Sequence, residues 1–551
     1  MRYLTVDVHM SNHKLVSLAF SKSAPRLSAA MRAATGWVAT LLCAALLASC
    51  GGGGGGGGGE GGGGFIAAAS IAPSAQYRGT LINTAIGAGA LSSDWSAMTC
   101  TDNRQKNWVR SFLNENYLFY RDAPLLSIDP NTYTGSIENL FLDYTKRGVP
   151  AKDKFSFVLT QTDADGAFQT GTTTDVGITL RRDTRVVDAN NRGIIRIAYV
   201  DANGPARAAG FVRGMVLATV DGVNTSFSIP AVQFDKLFSS PAGTTSVVGV
   251  QDTINGPIRN LTVSTASFST SPLLLDRVLP GTATGYLAFT SFSTPIGEVQ
   301  LADAFNRFAA AGVTDLVVDI RYNGGGYIDI ASQLGYMVAG QIQSQGRIFE
   351  SLVYNDKRSS ANENIFFNRT ITNFFGNTAR AGEPLAALNL RRVYVLTTGS
   401  TCSASESFIS GLQGIDVEVI QIGGTTCGKP YGFSQTNNCT LSYFALEFEG
   451  RNNKSVVTPV TGLPPTCFAT DDFDRALGDP AERLLAAALN YKAVGSCPPV
   501  SVAPATPLGA APIADSASPL NAFSQNPYAL NPDMEFMTRP SDSIKVRRST
   551  K

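Results

Sequence analysis

From Gly285 onward, apolar runs of strand length alternate with amphipathic stretches of helix length, and few folds accept that order. "GYLAFTSF" reads as a strand and "IGEVQLADAFNRFAAAGV" as a helix. "DLVVDIRYNGGG" is a buried strand entering a glycine loop, and "YIDIASQLGYMVAG" is the next helix. "RRVYVLTTGS", "SASESFISGLQG" and "VEVIQIGGT" continue the series as strand, helix and strand. Such alternation predicts an α/β domain with its chemistry in the loops after the strands. A final helix in "DPAERLLAAALNYK" is expected to use Asp479 as N-cap, with Pro480 in its first turn.

The segments before this domain have a different texture. Residues 165–272 carry short β-rich runs separated by turn residues, with one helix-like piece, "PAVQFDKLFSS". Residues 96–160 hold two helical patterns. In the first, Trp108, Val109, Phe112, Leu113, Tyr117 and Tyr120 recur at helical spacing up to Pro124; the second is "SIENLFLDYTKRGV". The α/β domain is placed at 273–497. From 498 to 551 the chain is rich in Pro, Ala and Ser without periodicity, so a disordered tail is expected.

The N-terminus reads as an export signal. After Met31 come one arginine, an apolar run and Leu47-Ala48-Ser49-Cys50, the layout of a signal peptide whose core is too short to span a bilayer. Residues 1–50 are therefore read as signal, with Met31 favoured as the true start over an extended leading region. The ending resembles the bacterial lipobox, which implies cleavage before Cys50 and lipid attachment to its thiol. The alternative, a buried helix opening a cytosolic domain, fits poorly with the glycine run after Cys50. Residues 51–64 are glycine except for Glu60, too costly in backbone entropy to order, so 51–95 reads as a tether. The expected location is the bacterial envelope, lipid-anchored. With a formal net charge of +1, nothing points to nucleic acid as a partner, and no oligomeric state follows.

Removing Cys43 and Cys50 leaves Cys100, Cys402, Cys427, Cys439, Cys467 and Cys497, an even number suited to disulfides in an oxidising compartment. Six cysteines allow about 15 connectivities; pairing of Cys427 with Cys439 is the expectation. No C-x-x-C pair occurs, and neither a metal nor another cofactor is expected.

Both histidines of the chain, His9 and His13, precede the proposed signal, so a mature Ser-His-Asp or Cys-His hydrolase is excluded. A lysine can serve as base instead if its pKa falls from about 10.4 toward neutrality, a shift of roughly three units that burial can supply. Lys429 is the only lysine between Lys357 and Lys454. "STCSASESFISGL" with "IGGTTCGKPYG" resembles the serine/lysine motif of the C-terminal processing (tail-specific) peptidases, family S41. "DLVVDIRYNGGG" is similar to a third motif of that family, and the likeness covers roughly residues 100–495.

The resemblance implies a Clp protease/crotonase-like α/β core and a polypeptide substrate. It implies Ser403 as nucleophile and Lys429 as general base. The oxyanion donors would be the backbone N–H of Ala404 and that of Gly325 or Gly326. Many members place a glutamine four residues after the lysine; that position is Phe433 here, and Gln435 is the substitute candidate. Residues 201–223, "DANGPARAAGFVRGMVLATVDGV", resemble the central stretch of a PDZ domain, with Gly214-Met215 in place of the usual Gly-Asp. That likeness implies that Val176, Gly177 and Ile178 hold a peptide carboxylate and that an extended chain adds to the sheet edge.

Blander readings exist for each motif. Ser403-x-x-Glu406 is also a helix capping box, Gly324–Gly326 a tight turn, and Cys402 a paired, inert cysteine. The rival functions are a peptide-binding lipoprotein that lost its chemistry and a non-peptidase acyl hydrolase on the same fold.

Overall fold

The computed structural model describes residues 71–77, 100–373, 376 and 378–499, and the backbone of 506–507 and 545–546. The expected signal, lipobox Cys50 and glycine tether lie outside the described residues. Among those described, no helix is long and apolar enough to cross a membrane.

Six strands form the central sheet, in the spatial order Leu273–Val278, Thr284–Phe289, Asp315–Asp319, Arg392–Thr397, Glu418–Gly423, Cys467–Phe468. The first pair is antiparallel and every later pair parallel. Sequence order equals spatial order, so the loops leaving Asp319, Thr397 and Gly423 rise side by side from neighbouring carboxyl ends. The helices Gly297–Ala310, Ile328–Ser344 and Ala404–Gly414 contribute Leu301, Phe305, Leu334, Met337, Phe408 and Leu412 to the main apolar core. Helix Arg483–Val494 packs Leu484, Leu485 and Ala488 into a second cluster with Tyr394 and Ile420 of the sheet. This is the α/β core the sequence predicts.

Two helix ends differ from expectation. The last helix begins at Arg483, not after Asp479, and its N-cap is Glu482, whose carboxylate accepts from the Leu485 N–H. The reason lies opposite: Glu482 is also held by the buried Arg321 guanidinium, while Asp479 and Pro480 form the preceding turn. The first helix spans Asp102–Asn116 and stops short of Tyr117 and Tyr120. Tyr117 is extended, because its hydroxyl bonds to Asp153 (2.7 Å) and the next N–H pairs with the Leu446 carbonyl (2.7 Å).

The N-terminal helices pack on a strand pair of the core. Phe157–Thr160 runs antiparallel to Leu441–Phe444, and Trp108, Phe112 and Phe141 gather around the Tyr443 ring. Cys100 is bonded to Cys439 across this contact.

An antiparallel sheet of Ile178–Val187, Gly193–Val200, Val216–Val220, Thr245–Gln251 and Ile258–Ser264 makes the β-rich region, with its own apolar core around Leu180, Ile197, Leu217 and Val250. Charges join it to the α/β core. Arg213 bonds to Asp471 (2.8 Å) and to the Tyr322 hydroxyl (2.6 Å), and Arg196 to Asp474 (2.7 Å). Arg321 lies beneath them, fully buried, with Asp319, Asp471 and Glu482 around it. Of the expected disordered tail, the described residues past 499 are two short strands. Thr506–Pro507 pairs with Val186–Val187, and Lys545–Val546 with Gly326–Tyr327.

Candidate active site

The three parallel strand ends bring the three sequence motifs together. After Thr397 the chain turns through residues 398–402 and enters helix Ala404–Gly414 with Ser403 as N-cap. Ser403 has φ +62° and ψ −117°, a conformation that costs a non-glycine residue about 1–3 kcal/mol and tends to persist where the surroundings enforce it. Thr401 Oγ1 donates to the Ile320 carbonyl (3.0 Å), and the Asn323 carbonyl accepts from the Cys402 N–H (3.1 Å) and the Ser405 hydroxyl (2.9 Å). The bend is thus fastened to the glycine loop beside it.

Ser403 and Glu406 stand in capping-box positions. Glu406 Oε2 accepts from the Ser403 N–H (2.9 Å). Ser403 Oγ is buried and has no hydrogen-bond partner among the described residues. An idle buried hydroxyl is expensive, and at a helix N-terminus it faces a partial positive charge suited to a developing anion.

The lysine loop meets the same carboxylate. Glu406 Oε2 also accepts from the Lys429 N–H (2.9 Å), and Oε1 accepts from the Gly428 N–H (2.9 Å) and the Thr426 hydroxyl (2.5 Å). One oxygen atom therefore holds the backbones of residues 403 and 429, which limits the gap between them to the two bonds it makes. Gly428 sits at φ +78°, and a Cβ there would lie 2.2 Å from the Val460 carbonyl oxygen, so the turn into the lysine demands glycine. Burial pushes the Glu406 pKa up, opposed by the four donors around it.

Lys429 is 1% exposed, with Nζ 4.2 Å from the centre of the Phe433 ring and 5.3 Å from that of Phe155. Phe433, at the position where a glutamine was the family pattern, thus walls the amine. Gln435 gives its side-chain N–H to Asp165 (3.0 Å), Asn437 (3.2 Å) and Ser442 (3.2 Å), contacts that tie it to the neighbouring strand pair.

Cysteine pairing corrects the sequence expectation. Cys427 is bonded to Cys402, not to Cys439, and the third pair is Cys467–Cys497. Cys439 sits in the turn before Leu441–Phe444 and is carried to the N-terminal helices, whereas Cys427 stays at the sheet end beside residue 402. Cys402, Glu406 and Cys427 bring ligand-type atoms together, but the two sulfurs are bonded to each other and offer no thiolate to a metal.

Among the oxyanion candidates, Ala404 opens the helix, where N–H groups lack intrahelical acceptors. The Gly325 N–H is given to Asn323 Oδ1 (2.9 Å) and would have to leave it to serve. Gly326 has φ +134°, and a Cβ there would come within 2.3 Å of Phe292 backbone, so this edge admits only glycine. In the β-rich region, the Val176 N–H bonds to the Leu237 carbonyl (3.1 Å), the Gly177 N–H to Asp175 (2.5 Å), and Ile178 pairs with Val200. Two of the three donors expected to hold a carboxylate are thus engaged within the fold. Glu406, visible beforehand only as a cap, and Asn323 are the residues whose joining role the sequence did not expose.

Comparison with known proteins agrees with this architecture. Residues 283–442 match the model for peptidase family S41. A crystal structure of a candidate S41 protease from Bacteroides fragilis is 24% identical, covers 70% of this chain and 97% of its own, and superposes with a TM-score of 0.55, a likeness of fold. The photosystem II D1 C-terminal processing protease is 17% identical over 69% of this chain and 96% of its own, with a TM-score of 0.42. No functionally curated protein matches the chain.

Proposed function

The chain carries a domain of the serine-type peptidase family S41, and we propose that it is an endopeptidase in which Ser403 is the nucleophile and Lys429 the general base. The observation that carries this reading is the shared Glu406 oxygen: it holds the backbones of both residues, while the serine hydroxyl is left without a partner.

In the proposed reaction, Ser403 Oγ attacks the scissile carbonyl carbon and its proton passes to the unprotonated Lys429 Nζ. The N–H groups of Ala404 and Gly326 face the oxyanion. Collapse breaks the C–N bond as Lys429 returns the proton to the leaving amine. Water, deprotonated by the same lysine, then releases the acyl group from Ser403. A substrate in extended form suits the site, because the Gly326–Tyr327 edge already accepts Lys545–Val546 as a parallel strand. The substrates proposed are unstructured or C-terminal segments of envelope proteins, presented by the β-rich, PDZ-like region to a lipid-anchored enzyme. The anchor rests on the Leu47-Ala48-Ser49-Cys50 motif.

Ser403→Ala tests the assignment. Cleavage of an unfolded protein should fall by about 10⁴-fold or more, the scale on which losing a nucleophile leaves only binding and oxyanion effects, with peptide binding retained. Equal cleavage by wild type and variant refutes the enzyme and leaves the binding protein.

A further inference from the structure

The Cys402–Cys427 bond joins the residue just before the nucleophile to the loop that ends in the lysine. Further hydrogen bonds span the same gap. The Cys427 N–H bonds to the Thr401 carbonyl (3.0 Å), and Glu406 takes the N–H groups of Ser403 and Lys429 on one oxygen. Glu406 is 1% exposed and Cys402 fully buried, so water offers little alternative to these bonds. The core would not unravel without them: both loops leave adjacent parallel strands paired from Arg392–Glu418 to Thr397–Gly423. What the ties fix is the last few residues beyond the sheet, where Ser403 departs from ordinary backbone geometry.

We propose that the Cys402–Cys427 disulfide and the Glu406 carboxylate are positioning groups that set Ser403 against Lys429, so that turnover requires the oxidised pair. This rests on the Ser403/Lys429 reading above. Reduction delivers two electrons and two protons to the two sulfurs, yielding two thiols, while a dithiol reductant closes to its own cyclic disulfide. The strained serine then has one fewer constraint, and the lysine loop pivots on Gly428. A misplacement near 1 Å lowers turnover on the order of 10²-fold without touching the surfaces that bind substrate, so kcat falls and KM holds.

The test compares variants of the full chain on one flexible peptide well below their unfolding temperatures. Cys402→Ala/Cys427→Ala and Glu406→Gln should each lose about 10- to 10²-fold in kcat with KM within about twofold. Cys467→Ala/Cys497→Ala, which also removes one disulfide but at the last sheet strand, should keep wild-type kcat. Wild-type kcat in both positioning variants, or a change confined to KM, overturns the proposal while leaving the dyad standing. Activity surviving in Ser403→Ala or Lys429→Ala overturns the dyad itself and this proposal with it. Should the double variant fail to fold, wild type titrated with dithiothreitol decides the matter. Turnover must fall in step with alkylation of Cys402 and Cys427 and return on reoxidation; activity that persists after both are alkylated overturns the inference.

Discussion

Three carboxylates are held in three ways, and their titration follows the company each keeps. At the seam between the β-rich region and the core, burial by itself would push Asp471 up, but the guanidiniums of Arg213 and Arg321 overrule it and hold the group well below the usual range. Glu447 has one guanidinium, the partly exposed Arg358 at 2.7 Å, and burial wins: its pKa rises to about 7. Glu406, at the candidate site, is bonded by N–H and O–H donors, and its pKa is raised by burial. The seam is therefore built from ion pairs, which strongly penalise the loss of any one member, and the site from neutral donors, which fix geometry without adding charge beside Ser403.

The sharpest way to break this contrast is at Arg321. Arg321→Met leaves Asp319, Asp471 and Glu482 short of their buried cation, and removing one partner of such a set costs about 3–5 kcal/mol. Urea unfolding should show that loss; a cost below about 1 kcal/mol means that the seam is held by packing, not by charge.

Glu447 tests the middle case through pH. Its folded pKa lies above the ordinary value of 4.5, so the folded state binds more protons than the unfolded state between roughly pH 4.5 and 7. Stability therefore falls as pH rises through that window and levels off above it. The full change is on the order of 3 kcal/mol. Glu447→Gln cannot ionise, and its midpoint in denaturant, followed from pH 5 to 8, should lose that downward slope. A slope equal to wild type assigns the titration to another group.

Glu406→Ala is expected to cost less than Arg321→Met, about 1–3 kcal/mol, because the donors it strands are neutral. The same unfolding measurement ranks the two, and a reversed ranking removes the distinction between charged seam and neutral site.

The architecture was legible because local signals and topology agree: strand and helix alternation, with Ser403, Lys429 and the glycine loop each at the end of an apolar run. Parallel strands in sequence order then bring those ends together with no further instruction. The cysteine partners were not legible, since Cys427 and Cys439 are near in sequence but are drawn apart by a strand pair that docks on the N-terminal helices. Glu406 was visible as a cap because capping is a local pattern of Ser and Glu three apart. Its hold on residues 426, 428 and 429 depends on a neighbouring strand and leaves no local trace. Likewise Asp479 and Pro480 carry an ordinary start signal that Arg321, far away in the chain, overrides by claiming Glu482.

The smallest effect is expected where seam and site touch. Arg181 of the β-rich region donates from Nε to Ser400 Oγ (3.1 Å), three residues before Ser403. Arg181 also donates to the Leu180 carbonyl, and its guanidinium lies 5.6 Å from the centre of the Tyr322 ring, so it keeps these contacts when the serine is gone. Ser400→Ala should thus cost about 0.5–1.5 kcal/mol and change kcat by less than about threefold. Strand pairing and the bonds to Asn323 already fix the Ser403 bend from the core side, and one hydrogen bond from outside adds little. A tenfold fall in kcat at unchanged stability would reverse that judgement: the β-rich region would then be shaping the Ser403 loop directly, and seam and site would act as a single unit.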